Sequence, residues 1–453
     1  MSATWFAPFF LIFLIYACRG QRQWASATIV ASFLQAASPL LVVAGGRING
    51  LQPAYALLPV GMAQLAFESF NLKNAKLNRN YITSSHLFIF ALTAVAIIGA
   101  FLLPRAFGGI AHVTPPRRQD VIELVHFSAG NGVQAFYIGC NFVLFTLIAR
   151  VVHRGSISIR QCVGAIAFGT TIAVILGIYQ ISCDILHLPW PDAVINSNLG
   201  SAQLFNQNAA GVVHALGITR RMSSTFLEPS MMSVYFLGMF SLFGLGLKRW
   251  HMGTAVLFCL IVSTSATAII GLCALLFIWT FWELRSGINV NSITALSLGM
   301  ACLVGILLLY LIGFTGNHFG FITDKLHSSS GQIRSSLDLI ALRTFRESWG
   351  LGVGIGSTRS SSFLTTFAAS TGIPGLICLV GFFATLLTRA MSSKSVDIRA
   401  LGLALATIIV GWSISVPDTT LSLIWLLSGI VCGADTHERY NAVAQRADSV
   451  SIA

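Results

Sequence analysis

The stretch SHLFIFALTAVAIIGAFLLP, residues 85–104, decides the fold, because it contains no aspartate, glutamate, lysine or arginine. A helix rises about 1.5 Å per residue, so a run of this length crosses the roughly 30 Å hydrocarbon core of a bilayer. Lipid offers the backbone no hydrogen-bond partners, and such a run must therefore be helical. Residues 85–104 predict a membrane-spanning helix.

The rest of the chain has the same character. It is 55% hydrophobic and 9% charged, and its mean hydropathy is +0.78, whereas a soluble domain carries about a quarter charged residues. We predict an all-α, polytopic helical membrane protein with a single domain over residues 1–453 and about 12–13 transmembrane helices. The predicted spans are residues 4–18, 25–45, 52–70, 85–104, 125–149, 160–178, 229–247, 252–266, 268–284, 293–314, 362–388, 398–416 and 419–434.

The eighth and ninth spans meet at Ser263-Thr264-Ser265-Ala266-Thr267 with almost no loop, so they could form one broken helix. Alternating the loops between the two sides of the membrane puts most of the 27 basic residues into short loops on one side. Basic residues in short loops mark the cytoplasmic side. The two long loops, residues 179–228 and 315–361, are therefore expected on the opposite, periplasmic or exterior, side.

The first long loop ends in Arg220-Arg221-Met222-Ser223-Ser224-Thr225-Phe226-Leu227-Glu228-Pro229-Ser230. Pro229 suits the first position of a helix, and Glu228 beside it would lie at the positive end of the helix dipole. The segment can be read as a helix start with two interfacial arginines. A glutamate with paired arginines at a membrane border is costly unless it is partnered or used, and we favour a functional role.

The second long loop contains a predicted helix with several arginines. The i,i+4 spacings predict the ion pairs Arg334–Asp338 and Arg343–Glu347. Arg346 shares a face with Arg343 and has no local partner left. Guanidinium groups match phosphate oxygens bidentately, so arginines in excess of local partners predict an anion site.

A ladder of alternating glycines, Gly350, Gly352, Gly354 and Gly356, follows this helix and leads to Arg359, which also lacks a local partner. Small residues let backbone N–H groups approach an anion closely. No Gly-Lys-Ser/Thr follows, so the ladder is not a Walker A loop. It predicts either a phosphate-binding nest or a tight re-entrant turn before the next span.

In the order of these motifs, the chain resembles the O-antigen ligase and polymerase superfamily of bacterial inner-membrane glycosyltransferases. The resemblance covers most of residues 160–435. It lies in the stretch from Arg221 to Pro229, the Ser-x-Ser-x-Thr junction from Ser263 to Thr267, an arginine-rich loop ending in Gly352-Val353-Gly354-Ile355-Gly356, and Gly372-Ile373-Pro374-Gly375.

The resemblance implies a GT-C-like fold and substrates that are oligosaccharides on a polyprenyl diphosphate. Ligases of this family carry a His-Asn pair shortly after the ladder, whereas this chain reads Ser360-Ser361-Ser362-Phe363. Polymerases carry Arg-x10-Gly in the second long loop, which Arg343 to Gly354 matches. The resemblance therefore favours a repeat-unit polymerase for exopolysaccharide, capsule or O-antigen. The alternatives are an O-antigen ligase acting on lipid A core and, less favoured, a flippase for lipid-linked glycans.

In such a polymerase a sugar hydroxyl on one lipid-linked unit attacks the anomeric carbon of the growing chain, and polyprenyl diphosphate leaves. We assign catalysis to Glu228 as the base, because a carboxylate at the membrane edge can have a raised pKa. Arg221 and Arg343 are assigned to the charge that develops on the diphosphate. The other predicted diphosphate contacts are Arg220, Arg334, Arg346, Arg359, Gly354 and Gly356.

No cofactor is expected, since a diphosphate leaving group is already activated and needs no nucleotide. No His, Asp or Glu cluster has the spacing of metal ligands, so no metal is expected either. The expected partners are lipid-linked donor and acceptor oligosaccharides, membrane lipid and, as an open option, a chain-length regulator protein. The net charge of +12 does not indicate nucleic acid, because basic residues of membrane proteins gather in cytoplasmic loops.

Overall fold

A computed structural model describes residues 2–44, 47–71, 82–116, 121–198, 220–285 and 329–452, and helices dominate it. One of them, the helix that begins at Pro229, continues through a π-helical turn over Ser241–Gly246. The helices are α1 (Ala7–Ala17), α2 (Gln21–Ala31), α3 (Pro53–Ala56), α4 (Leu58–Asn71), α5 (Ser84–Ala106), α6 (Ala129–His153), α7 (Ile159–Ile185), α8 (Asp192–Ile195), α9 (Pro229–Phe240), α10 (Trp250–Val262), α11 (Ala266–Arg285), α12 (Ser329–Glu347), α13 (Phe363–Ser392), α14 (Val396–Ser415) and α15 (Ser422–Ile452).

The described strands are short and form two small antiparallel sheets. In the first sheet the strand order follows the chain, and in the second two strands pair within the loop between α5 and α6. The strands are β1 (Ser2–Ala3), β2 (Leu40–Ala44), β3 (Arg47–Leu51), β4 (His112–Val113) and β5 (Glu123–Leu124).

Six helices of the described chain are long and apolar enough to cross a membrane, namely α5, α6, α7, α9 with its π-helical turn, α13 and α14. Helices α1 and α10 and the first part of α11 are apolar but shorter. The protein is therefore an all-α, polytopic, membrane-embedded protein, as the sequence predicts. The predicted span at residues 293–314 lies outside the described residues.

The predicted span at residues 25–45 is wrong. Helix α2 ends at Ala31, and β2 then pairs with β3 as an antiparallel hairpin. Pro39 has no N–H and biases Ser38 before it away from helical backbone angles. The β-branched residues Val42 and Val43 favour a strand. This apolar run therefore forms part of a short helix and part of a hairpin, and it does not form one spanning helix.

Helix α9 forms the centre of the bundle, since 94% of its most apolar window is buried. It packs against α10, α11 and α14, while α6 packs against α15 and α5 against α13. Helices α9, α11, α13 and α15 begin at the same end of the bundle, which we call the loop end. The sequence segments that suggested a function lie there.

Helix α13 is broken at Gly372, whose φ of 64° and ψ of −164° are not helical. The break releases carbonyl groups that lipid cannot satisfy. The glycine ladder supplies the donors: Val353 N–H donates to the Ala369 carbonyl and Gly354 N–H to the Ser370 carbonyl, each at 2.9 Å. The ladder therefore completes the interrupted helix.

Candidate functional site

Arg221 lies at the loop end, where α10 gives way to α11. Its Nε donates a hydrogen bond to the carbonyl of Ser263 at 3.2 Å, and its Nη2 donates to the carbonyl of Thr264 at 3.1 Å. The last carbonyls of a helix have no partner within the helix, so the arginine supplies donors that α10 needs. Two bonds fix the plane of the guanidinium. The helix break expected at this junction is confirmed, and it holds Arg221.

Thr264 in this break is strained. Its φ of +46° lies in the left-handed region, which is unfavourable for a β-branched residue. The residue is 8% exposed, and its Oγ1 has no hydrogen-bond partner among the described residues. Strained residues and unpaired buried hydroxyls cost free energy and cluster at functional sites. Both features occur here, two residues before the start of α11 at Ala266.

Arg221 interacts electrostatically with charged residues of both long loops. Removal from water, reinforced by the positive charge of Arg334, lowers the pKa of Arg221 from 12.5 to about 10, while Glu228 acts in the opposite direction. Arg221 therefore stays protonated at neutral pH. Arg221 and Glu228 come from the first loop and Arg334 from the second, so the fold assembles these three predicted residues into one electrostatic group.

Glu228 is the residue that precedes α9, and Pro229 takes the first helical position as predicted. The Glu228 side chain makes no capping hydrogen bond to the first amides of the helix. Glu228 nevertheless lies at the positive end of the α9 dipole, where acidic residues stabilise a helix. An ionised carboxylate beside an arginine can accept a proton or orient that arginine.

A second group forms around Arg343 on α12. Arg343 Nε donates to Glu347 Oε1 at 2.7 Å, which confirms the predicted i,i+4 pair. Arg343 Nη2 also lies 3.4 Å from His112 Nδ1, and the His112 backbone N–H donates to Glu347 Oε2 at 2.7 Å. Burial by itself raises the pKa of Glu347, but the hydrogen bonds from His112 and Arg343 outweigh it and lower that pKa.

The sequence interpretation missed His112, because it treated the first 150 residues as apolar spans. The loop between α5 and α6 contains His112-Val113-Thr114-Pro115-Pro116-Arg117-Arg118. A basic stretch with two prolines among apolar runs was the available signal of a structured loop. Packing of α12 against β4 brings His112 of this loop to the second arginine group.

Arg346 lies on the exposed face of α12. Leu339 and Leu342, seven and four residues before Arg346, are 66% and 51% exposed and lie on the same side of the helix as Arg346. Trp349, which is 80% exposed, follows just after the helix ends at Glu347. Large apolar residues beside a cation suit the boundary between lipid and water. Arg346 is therefore accessible to an approaching anionic group.

The predicted ion pair between Arg334 and Asp338 is wrong. The Asp338 carboxylate accepts hydrogen bonds from the hydroxyls of Ser361 and Thr365, each at 2.7 Å, and from the N–H groups of Ser361 and Ser362 at 3.2 and 3.3 Å. Burial by itself raises the pKa of Asp338, but these bonds outweigh it and lower that pKa. Asp338 accepts hydrogen bonds from amides at the start of α13 that have no partner within the helix. These bonds hold α12 against α13.

Gly354 and Gly356 are required by packing. Their φ values are +89° and +88°. A Cβ on Gly354 would lie 2.7 Å from the Gly99 carbonyl oxygen, and one on Gly356 would lie 2.5 Å from the Gly130 carbonyl oxygen. The ladder is thus the tight turn, and a phosphate nest at Gly354 is wrong, because its N–H already donates to the Ser370 carbonyl. Diphosphate binding at Gly356 stays a prediction.

Arg359 has a distant partner that local spacing could not indicate. Its Nη1 and Nη2 bind the two carboxylate oxygens of Asp418, each at 2.9 Å. Its backbone N–H donates to the Thr114 carbonyl at 3.0 Å. Arg359 therefore joins the end of the ladder to two other loops and is not in excess of partners, while its contact with diphosphate stays a prediction.

Arg220 diverges from its neighbour Arg221. The backbone N–H of Arg220 donates to Asp184 Oδ2 at 3.0 Å, and the exposed residue borders a cavity of about 510 Å³. Arg220 therefore lies beside this cavity, whereas Arg221 binds the break between α10 and α11.

Within the described ranges, no cluster of three or more His, Cys, Asp or Glu side chains is arranged to hold a metal ion. No model of a known protein family matches the sequence, and no curated protein matches it significantly. A functional assignment for this protein therefore depends on the residues at the loop end.

Proposed function

We propose that the protein is a polysaccharide repeat-unit polymerase that joins oligosaccharides carried on polyprenyl diphosphate. The observation that supports this proposal best is the Arg221 guanidinium, fixed beside the unpaired Thr264 hydroxyl and the start of α11. A fixed cation, a hydroxyl and a helix N-terminus each favour an anion with several oxygens. The site also lies at the ends of membrane-spanning helices, where a lipid-linked diphosphate would be found.

In the proposed reaction an acceptor hydroxyl attacks the anomeric carbon of the donor sugar. The new glycosidic C–O bond forms, the bond from the anomeric carbon to the diphosphate oxygen breaks, and its electron pair leaves with the diphosphate. The hydroxyl proton passes to Glu228. Arg221 and Arg334 stabilise the growing negative charge more strongly in the transition state than in the ground state.

The second group has a supporting role in this proposal. Arg343 is oriented by Glu347 and His112, and Arg346 lies on the exposed side of α12. Their guanidinium groups would bind a lipid-linked diphosphate that approaches along the membrane surface. Arg220 would contact the same substrate from the other side of Arg221.

The proposed location is the bacterial inner membrane, with the loop end on the periplasmic side. Supporting this orientation, the basic residues of the short loops belong to the opposite end of the spans. Lipid-linked repeat units would then be polymerised after they have crossed the membrane, with a chain-length regulator as a further proposed partner.

A deletion strain complemented with the wild-type gene or with variants tests this function. The measurement is the length and surface display of the glycan, separated by gel electrophoresis. A polymerase predicts that deletion leaves single repeats at the surface without longer chains. Loss of all surface units would indicate a flippase, and free polymer that is no longer joined to lipid A core would indicate a ligase.

The same strain tests the residues of the second group. If Arg343→Ala and Arg346→Ala both retain full polymer length and yield, their assignment to the diphosphate is wrong. Expression of each variant in the membrane fraction is the control for folding.

A further inference from the structure

A cavity of about 510 Å³ lies at the loop end, beside the C-terminus of α7. This volume falls within the roughly 300–1,000 Å³ that is typical of small-molecule sites. The mechanism proposed above does not use most of its wall. Among the described residues, that wall includes Gln180, Asp184, Trp190, Asp192, Asn196 and Arg220.

Two residues of the wall carry polar atoms that lack partners in the described structure. Asn196 is 8% exposed; its Nδ2 donates to Asp192 Oδ1 at 2.7 Å, but its Oδ1 has no partner. The indole N–H of Trp190 is also buried and unpaired. Unpaired buried polar atoms are rare in folded proteins. Neither atom has surface open to the cavity in this structure, so a ligand that offers a donor to Asn196 and an acceptor to Trp190 would satisfy both when these side chains turn toward it.

The charges of the wall disfavour an ionic ligand. Asp184 and Asp192 repel an anion, and Arg220 repels a cation. Asp184 also lies in the last turn of α7, where the negative end of the helix dipole makes a carboxylate unfavourable. Carboxylates and an amide oxygen accept hydrogen bonds, so the wall fits an uncharged ligand rich in hydroxyl donors.

The Trp190 ring gives the described part of the wall its aromatic surface, whereas Tyr179 does not line the cavity. Trp190 packs against Tyr179 with ring centroids 5.7 Å apart and planes inclined by 42°. Aromatic rings offer flat apolar area together with a polar edge, and the pyranose ring of a sugar presents a matching C–H face and hydroxyl edge. We propose that this cavity binds a neutral saccharide, the acceptor end of the lipid-linked oligosaccharide. Its role as acceptor rests on the proposed polymerase function, whereas saccharide binding rests on the wall alone.

Saturation-transfer NMR on the full-length protein in lipid nanodiscs tests this site. The probes are the methyl glycosides of glucose, galactose, mannose and N-acetylglucosamine. We expect transfer to at least one of them, reduced about fivefold or more by Trp190→Ala and by Asn196→Ala. Trp250→Ala is the matched control, since Trp250 is an exposed tryptophan at the start of α10, away from the loop end.

The inference is overturned if the folded wild-type protein shows no transfer to any of the four glycosides. It is equally overturned if two milder variants both leave transfer unchanged: Trp190→Phe, which keeps an aromatic ring but removes the indole N–H, and Asn196→Asp, which keeps the side-chain size but replaces the amide. Arg221→Gln separates this inference from the proposed function, because we expect this variant to bind the glycosides while chain extension is lost. Continued chain extension with intact glycoside binding would contradict the mechanism and leave the cavity assignment standing.

Discussion

Replacement of Arg221 by glutamine removes a positive charge and the planar group that Ser263 and Thr264 hold in place. Loss of one fixed donor to a developing oxyanion costs about 2.7–4 kcal/mol, which lowers the rate of the chemical step about 10²–10³-fold. Two carbonyls also lose a charged donor, each worth about 1.5–3 kcal/mol. The glutamine amide can restore one of these bonds, so we expect the free energy of unfolding to fall by about 1.5–3 kcal/mol.

The assay is polymerisation of a synthetic lipid-linked repeat unit by purified protein in vesicles, with single-turnover rates measured at saturating substrate. Arg105→Gln is the matched control. Arg105 is an exposed arginine at the same end of the bundle, with its guanidinium 4.1 Å from the centroid of the Phe127 ring. We expect the control to keep the wild-type rate, because it removes the same charge without touching the helix break.

The reasoning is refuted if Arg221→Gln polymerises at the wild-type rate. A lower unfolding temperature together with an unchanged rate would show that Arg221 only holds α10 and α11 together. A rate loss shared by Arg105→Gln would show that total charge at the loop end matters, and that the fixed guanidinium does not.

Three further outcomes follow from the loop-end contacts. Gly356→Ala should destabilise the protein by about 2 kcal/mol or more, because its left-handed φ alone costs about 1–2 kcal/mol and the new Cβ would meet a carbonyl oxygen at 2.5 Å. A new Cβ at Gly132 would meet no heavy atom within 4 Å, so Gly132→Ala should raise the free energy of unfolding by about 0.5–1 kcal/mol. Equal unfolding temperatures of the two variants would contradict the packing account. Desolvation by burial raises the pKa of Asp338, but its hydrogen bonds outweigh that effect and lower the folded-state pKa below the ordinary 3.8. The contribution of Asp338 to stability is therefore present above 3.8 and is lost as pH falls through the folded pKa. Asp338→Asn should destabilise the protein at about pH 6, with a difference that shrinks as pH falls below 3.8, and a pH-independent difference in unfolding would be the opposite result. Arg343→Lys should shorten the polymer more than Arg346→Lys, because lysine cannot keep the two contacts of Arg343, and gels showing the reverse order would disprove this difference.

The contrast between Arg343 and Asp338 shows how far sequence reasoning reaches in the candidate site. The Arg343–Glu347 pair follows from helical spacing, and the structure contains it. Asp338 has the same spacing to Arg334, yet it binds Ser361 and Thr365 instead. A local pair at the surface of a helix is worth about 0.2–0.5 kcal/mol, which is too little to compete with several hydrogen bonds at the unsatisfied start of α13.

The apolar runs by themselves determine that this protein is a bundle of membrane-embedded helices, because lipid leaves the backbone no other way to satisfy its hydrogen bonds. Short sequence patterns also indicate the break between α10 and α11 and the helix start at Pro229, since both features are set by residues that lie close together in the chain. Only the tertiary structure decides that Arg221 is held in that break, that Arg359 binds Asp418 and that His112 reaches Arg343. These partners lie tens to hundreds of residues apart, and packing of whole helices brings them together.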